Sequence, residues 1–223
     1  MADATADAVP RETVDPQLIR QIFGHNDALV HGYVDLLTST AVEHGLLGPR
    51  EASRVWTRHV LNCAVVEPLL PRGSSVVDIG SGAGLPGLVL ALARPDLRVT
   101  LVEPLLRRSS FLQEAVGALG LSAVEVIRAR AEDLHGDLTA TTVISRAVAP
   151  LDKLMTWCWA LVSPGGAMVA IKGAAAAAEV ASHAGVVRQG GLIVAVEHYG
   201  HGIVTPPTTV IRVQSQRDAK DRR

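Results

Sequence analysis

Leu18, Ile19, Ile22 and Phe23 recur at the three- and four-residue spacing of a helix, and Leu29, Tyr33, Leu36 and Leu37 repeat the pattern a few residues on. Trp56, Val60, Cys63 and Glu67 mark a further helix. The rhythm then changes. Val76-Val77-Asp78-Ile79 predicts a short buried strand, followed by glycine-rich punctuation and a helix-like run over residues 88–93. Further strands are predicted at 99–102, 124–127, 142–145, 168–171, 192–196 and 209–213, with helices at 106–119 and 151–161 and a helical run starting near 174–178. Such alternation predicts an α/β fold, a mostly parallel seven-stranded sheet with helices on both faces and ligands beyond the carboxyl ends of its strands. The expected organisation is a disordered stretch at 1–13, a helical cap at 14–70, the α/β domain at 71–213 and a flexible tail at 214–223.

Composition narrows the function classes. A hydrophobic share of 48% supplies a buried core, so disorder cannot dominate. No apolar run approaches the ~20 residues of a bilayer span, and residues 1–10 lack the basic start and apolar stretch of a signal peptide, so a soluble cytoplasmic protein is expected. Cys63 and Cys158 lie in apolar, helix-like segments and are expected in the core rather than in a disulfide. His198 and His201 have a ligand-like gap but no thiolates or second pair nearby, so no metal site is expected.

A net charge of −1 and a pI of 6.7 give no global attraction to nucleic acid. Any RNA contact must then come from local clusters. Arg107 with Arg108 and Arg128 with Arg130 are candidates, and Arg50, Arg54 and Arg58 would form one ridge on a helix. The alternative for that ridge is a solvated face on which Glu51 pairs with Arg54. His59 could face RNA or pack within the helical segment.

The chemistry concentrates after the first strand, in Asp78-Ile79-Gly80-Ser81-Gly82-Ala83-Gly84-Leu85-Pro86-Gly87. Gly82, Gly84 and Gly87 fit a dinucleotide fingerprint, whereas Gly80, Gly82 and Gly84 fit a methyltransferase loop. Under either parse an acid ending the second strand binds ribose hydroxyls, and Glu103 stands there. Ala131-Glu132-Asp133, just past the third strand, suits the adenine edge of a mononucleoside site and favours S-adenosylmethionine over NAD. Asp78 would orient the loop.

These residues resemble the glucose-inhibited division protein B family, also called ribosomal RNA small-subunit methyltransferase G, over about residues 33–172. The carriers are Arg58-His59-Val60-Leu61, the glycine loop, Arg107-Arg108 before Phe111-Leu112, Ile144-Ser145-Arg146-Ala147, Trp157-Cys158 and Ile171-Lys172-Gly173. The resemblance implies a Rossmann-like class I methyltransferase that uses S-adenosylmethionine to methylate guanine N7 in the decoding-region loop of 16S ribosomal RNA, in the small ribosomal subunit. By position it assigns Gly80 and Leu85 to the cofactor loop, Ala131 and Glu132 to the adenine side, and Arg146 to the active cleft, with Lys172 a weaker match. Guanine N7 carries a lone pair at neutral pH, so no catalytic base is needed and positioning dominates. A cation against N7 would oppose the reaction, so Arg146 and Lys172 are expected to hold phosphate, guanine O6 or the cofactor carboxylate. The alternatives are a methyltransferase of a protein or small molecule, an NAD-binding oxidoreductase, and a ribosome-associated module without turnover.

Overall fold

The computed structural model describes residues 12–216 of the chain. Asp15 caps the first helix, α1 (Pro16–Phe23), by accepting from the Gln17 N–H, and Pro16 occupies the first turn, where its missing donor costs nothing. Next come α2 (Asp27–Thr38), α3 (Thr40–Glu43), a 3₁₀ segment Pro49–Arg54, a π-helical segment Trp56–Leu61 and α4 (Asn62–Ala64).

The continuous helix expected through Trp56 and Glu67 is therefore three pieces, ending in a 3₁₀ turn at Glu67–Leu69. Arg50, Arg54 and Arg58 do not lie along one α-helix: Arg50 and Arg54 are in the 3₁₀ segment and Arg58 in the π-helical one, and Arg54 and Arg58 converge on Glu51.

The α/β part follows as β1 (Ser75–Ile79), α5 (Gly87–Ala93), β2 (Arg98–Val102), α6 (Leu106–Ala118), β3 (Val124–Ile127), β4 (Ala140–Arg146), α7 (Leu151–Cys158), β5 (Val162–Lys172), α8 (Ala176–Gln189), β6 (Leu192–Tyr199) and β7 (Thr208–Ser215). The seven strands lie in the order β3-β2-β1-β4-β5-β7-β6, with β7 antiparallel to both neighbours. The sheet thus runs outward in both directions from the adjacent β1 and β4, which places a crevice at their carboxyl ends.

Two details depart from the expectations. The strand expected at 168–171 begins earlier, and β5 takes in Pro164-Gly165-Gly166, where the register slips against β4 and a Cβ on Gly166 would stand 2.5 Å from the Thr141 carbonyl oxygen. At the end of the chain β7 takes in Gln214 and Ser215, beyond the expected boundary at 213. The expected disorder at 1–11 and the tail at 217–223 lie outside the described residues.

The N-terminal helices share one core with a sheet face. Gly87 through Leu92 of α5 are all buried, as a helix that is apolar all round must be. It sits between β1 and β2 on one side and α1, α2 and α4 on the other. Tyr33 of α2 is fully buried and donates its hydroxyl to the Ala83 carbonyl at 2.8 Å, and Asn26 donates to the Leu92 carbonyl at 2.9 Å. Cys63 and Cys158 are buried free thiols, and burial pushes their pKa values up to about 11 and about 12, so both are inert.

Candidate active site

The glycine loop follows β1, whose last residue but one, Asp78, points into the fold. Asp78 is fully buried, and one carboxylate oxygen accepts from the Gly87 N–H at 3.0 Å, tying the start of α5 to the strand. The other oxygen has no partner among the described residues. Burial pushes this carboxyl up to about 7, against the Gly87 hydrogen bond that favours its charge. Asp78 does not line the cavity below. Its hydrogen bond to Gly87 anchors the loop.

Between these anchors the loop turns through positive φ at Gly80, Gly82 and Gly84. Gly84 is enforced by packing, since a Cβ there would meet Leu88 at 2.4 Å and the Tyr33 hydroxyl at 2.9 Å. Gly82 is different, with only the Gly80 carbonyl oxygen near at 3.8 Å. Leu85 is buried beneath the loop.

A cavity of about 440 Å³ opens beside this loop, at the carboxyl ends of β1, β2 and β4. Gly80, Glu103, Ala131, Glu132 and Arg146 line it, together with Arg108 and Arg130 from the expected basic clusters. Glu103 is only 1% exposed; one carboxylate oxygen accepts from the Gly82 N–H at 3.0 Å and the other from the Leu105 N–H at 3.1 Å. It therefore clamps the loop while standing at the cavity wall, with lone pairs remaining on both oxygens. A second cavity, of about 260 Å³, lies among the N-terminal helices near Trp56 and His31 and is remote from this chemistry.

Trp157, Leu105 and Val148 also line the main cavity and were not singled out from sequence for this role. Leu105 there is 54% exposed and Val148 38%, and Leu106, next in sequence to Leu105, is 62% exposed. Val148 follows Ala147, a non-glycine residue at φ 53°, and it lies so close over Gly80 that a Cβ there would be 2.8 Å from it. No local pattern marks Val148. Only the turn after β4 brings it to Gly80.

Arg146, at the end of β4, donates to Nδ1 of His59 at 2.9 Å and to the Arg58 carbonyl at 3.5 Å. His59 is 8% exposed, and its Nε2 lies 3.0 Å from Glu51. Burial and the neighbouring Arg146 hold the imidazole pKa down at about 4, so the ring is neutral. His59 is thus enclosed by protein rather than presented to RNA.

Glu51 also takes Arg54 at 3.2 Å and Arg58 at 2.8 Å, while Arg50, Arg107 and Arg128 are exposed with no ion pair to a described carboxylate. Lys172 is not at the cavity. It donates to the Ala149 carbonyl at 2.7 Å and pairs with Glu179 at 2.9 Å, both partners half-buried, which makes it a brace between β5 and α8. Among the described residues no group of three His, Cys, Asp or Glu could hold a metal ion.

Residues 26–197 match the model of the rRNA small subunit methyltransferase G family. A ribosomal RNA small subunit methyltransferase G of Salinispora tropica is 55% identical over 89% of this chain and 85% of its own length, and that of Rhodococcus jostii is 46% identical over 96% of each. The fold is also that of a precorrin-6y C5,15-methyltransferase of Geobacter metallireducens, with a TM-score of 0.52 at 15% identity over 76% of this chain and 90% of that one. On the family match, the identity to these relatives and the cavity between loop, Glu103 and Arg146, the chain belongs to the rRNA small subunit methyltransferase G family.

Proposed function

We propose that the chain transfers a methyl group from S-adenosylmethionine to N7 of a guanine in the decoding-region loop of 16S ribosomal RNA, acting in the cytoplasm on the small ribosomal subunit. One observation carries this reading beyond family membership: a nucleoside-sized cavity with a glycine turn, a buried carboxylate and a basic rim stands at the strand ends where such folds bind ligands.

The residues present fit the donor. Glu103 has free lone pairs for ribose hydroxyls, Gly80 lines the cavity beneath Val148, and Ala131 with Glu132 forms the wall past β3. Bound there, S-adenosylmethionine supplies an electrophilic methyl group. The chain's own task is placement, because guanine N7 needs no deprotonation. Arg146 stands where it can hold guanine O6 or a phosphate without placing charge against N7. Arg107, Arg108 and Arg130 at or beside the mouth suit the flanking phosphates, and exposed Leu105 and Leu106 offer apolar surface to an unstacked base. No helix among the described residues is long and apolar enough to cross a membrane.

The test is nucleoside mass spectrometry of small-subunit RNA from cells lacking the protein. Loss of one N7-methylguanosine from the decoding-region loop, restored by the wild-type chain but not by Arg146→Ala, is the expected result. Persistence of that nucleoside overturns the assignment.

A further inference from the structure

Glu51 has no place in the cofactor cavity, yet the cleft arginine is built upon it. Its carboxylate meets Nε2 of His59 at 3.0 Å, and Nδ1 of the same ring meets Arg146 at 2.9 Å. A guanidinium can only donate, so Nδ1 must carry the lone pair and Nε2 the proton. A carboxylate facing Nε2 is what holds the proton there. Without it the ring can take the other tautomer, which would set N–H against N–H at Arg146. The other hydrogen bond from Arg146 to the helical segment, to the Arg58 carbonyl, is long at 3.5 Å. An arginine side chain otherwise samples many rotamers, and loss of its placement slows a reaction that depends on geometry.

We propose that Glu51 and His59 form a positioning pair that holds the Arg146 guanidinium at the cavity wall, so that the helical segment before β1 sets the geometry of the cleft. This rests on the role of Arg146 in methyl transfer proposed above. Neither residue touches donor or substrate; both act through Arg146. His59 lies on the buried face of its segment with Trp56, Val60 and Leu61, while Thr57 and Arg58 face solvent.

The experiment is a set of double-mutant cycles measured by methyl transfer to small-subunit particles, with donor affinity by calorimetry and thermal melts on each variant. His59→Ala and Glu51→Ala are expected to lower kcat about 10-fold while donor Kd changes less than about 2-fold. In an Arg146→Ala background the same replacements are expected to cost less than about 2-fold more, since nothing remains to be positioned. His59→Asn, whose side-chain oxygen can accept where Nδ1 does, is expected to restore kcat to within about 3-fold. Should His59→Ala not fold, the cycle with the half-buried Glu51 carries the same test. Undiminished effects in the Arg146→Ala background overturn the positioning pair, as does normal turnover of both single variants beside a defective Arg146→Ala. Normal turnover of Arg146→Ala overturns the role of Arg146 itself, and the pair with it.

Discussion

Asp78 and Glu103 are both buried acids next to the glycine loop, and their surroundings give them different work. Asp78 has one satisfied oxygen, and its pKa stands near 7 against an ordinary value near 4. The folded state therefore binds this proton more tightly than the unfolded chain does. The resulting stability is fully present below the unfolded pKa and is lost as pH rises through about 7. Asp78→Asn keeps an acceptor for the Gly87 N–H and removes the charge, so its stability relative to wild type should grow between pH 5 and pH 8, by on the order of 2 kcal/mol. Thermal melts across that range check this, and a constant difference would show that Asp78 stays ionised. Glu103 is instead hydrogen-bonded at both oxygens. Glu103→Ala should weaken S-adenosylmethionine binding by about 1.5 to 3 kcal/mol through a lost charge-assisted hydrogen bond and a slack loop. Calorimetry returning wild-type affinity would reject the ribose assignment.

Among the elements, the β1–α5 loop holds one glycine hemmed in by packing, Gly84, and one with open space beside it, Gly82, a distinction that the spacing of Gly80, Gly82 and Gly84 does not reveal. Gly84→Ala places a methyl group against Leu88 and Tyr33 at φ +96°, so it should destabilise the fold by about 2 to 4 kcal/mol. Gly82→Ala meets almost nothing and should cost only about 1 kcal/mol of stability. Donor affinity should nonetheless fall at least as far in Gly82→Ala, if the open space beside it is where the ligand lies. Melts paired with calorimetry decide the point; a Gly82→Ala protein that binds normally would move the donor away from this turn. Lys172 teaches a related lesson. The resemblance made it a weaker match to a cleft position, but α8 supplies Glu179 as its partner.

For the whole molecule, the helices before β1 are part of the catalytic body rather than a detachable cap, since they share a core with the sheet and anchor the loop through Tyr33. Charge is segregated by the same packing. Glu51 draws Arg54 and Arg58 together, whereas Arg130, which lines the cavity, and the exposed Arg107, next in sequence to the lining Arg108, have no ion pair to a described carboxylate. RNA binding should weaken with salt, and replacing Arg107 and Arg130 should reduce the logarithmic slope by roughly one per lost phosphate contact. Replacing Arg54 and Arg58, already neutralised in part by Glu51, should reduce it less. Salt titrations with small-subunit particles measure this, and equal slopes for the two double variants would assign the RNA path to the helical segment.

Strands β1 to β7 were legible in the sequence because buried strands are short apolar runs bounded by turn residues, a local signal. The loop, Glu103 and Ala131-Glu132 were legible because each follows a strand at the end where ligands collect. The sequence by itself therefore determined the sheet, the side of it that carries chemistry, and the family resemblance. It did not determine which charged side chains reach the cavity. His59 could face RNA or pack until β4 delivered Arg146 to it, Lys172 read as a cleft residue until α8 delivered Glu179, and Val148 had no signal before a strained turn laid it over Gly80. Only the tertiary structure decided these, because a charge or hydrogen-bond partner 87 residues away leaves no mark on local periodicity, yet it sets where a flexible side chain stands.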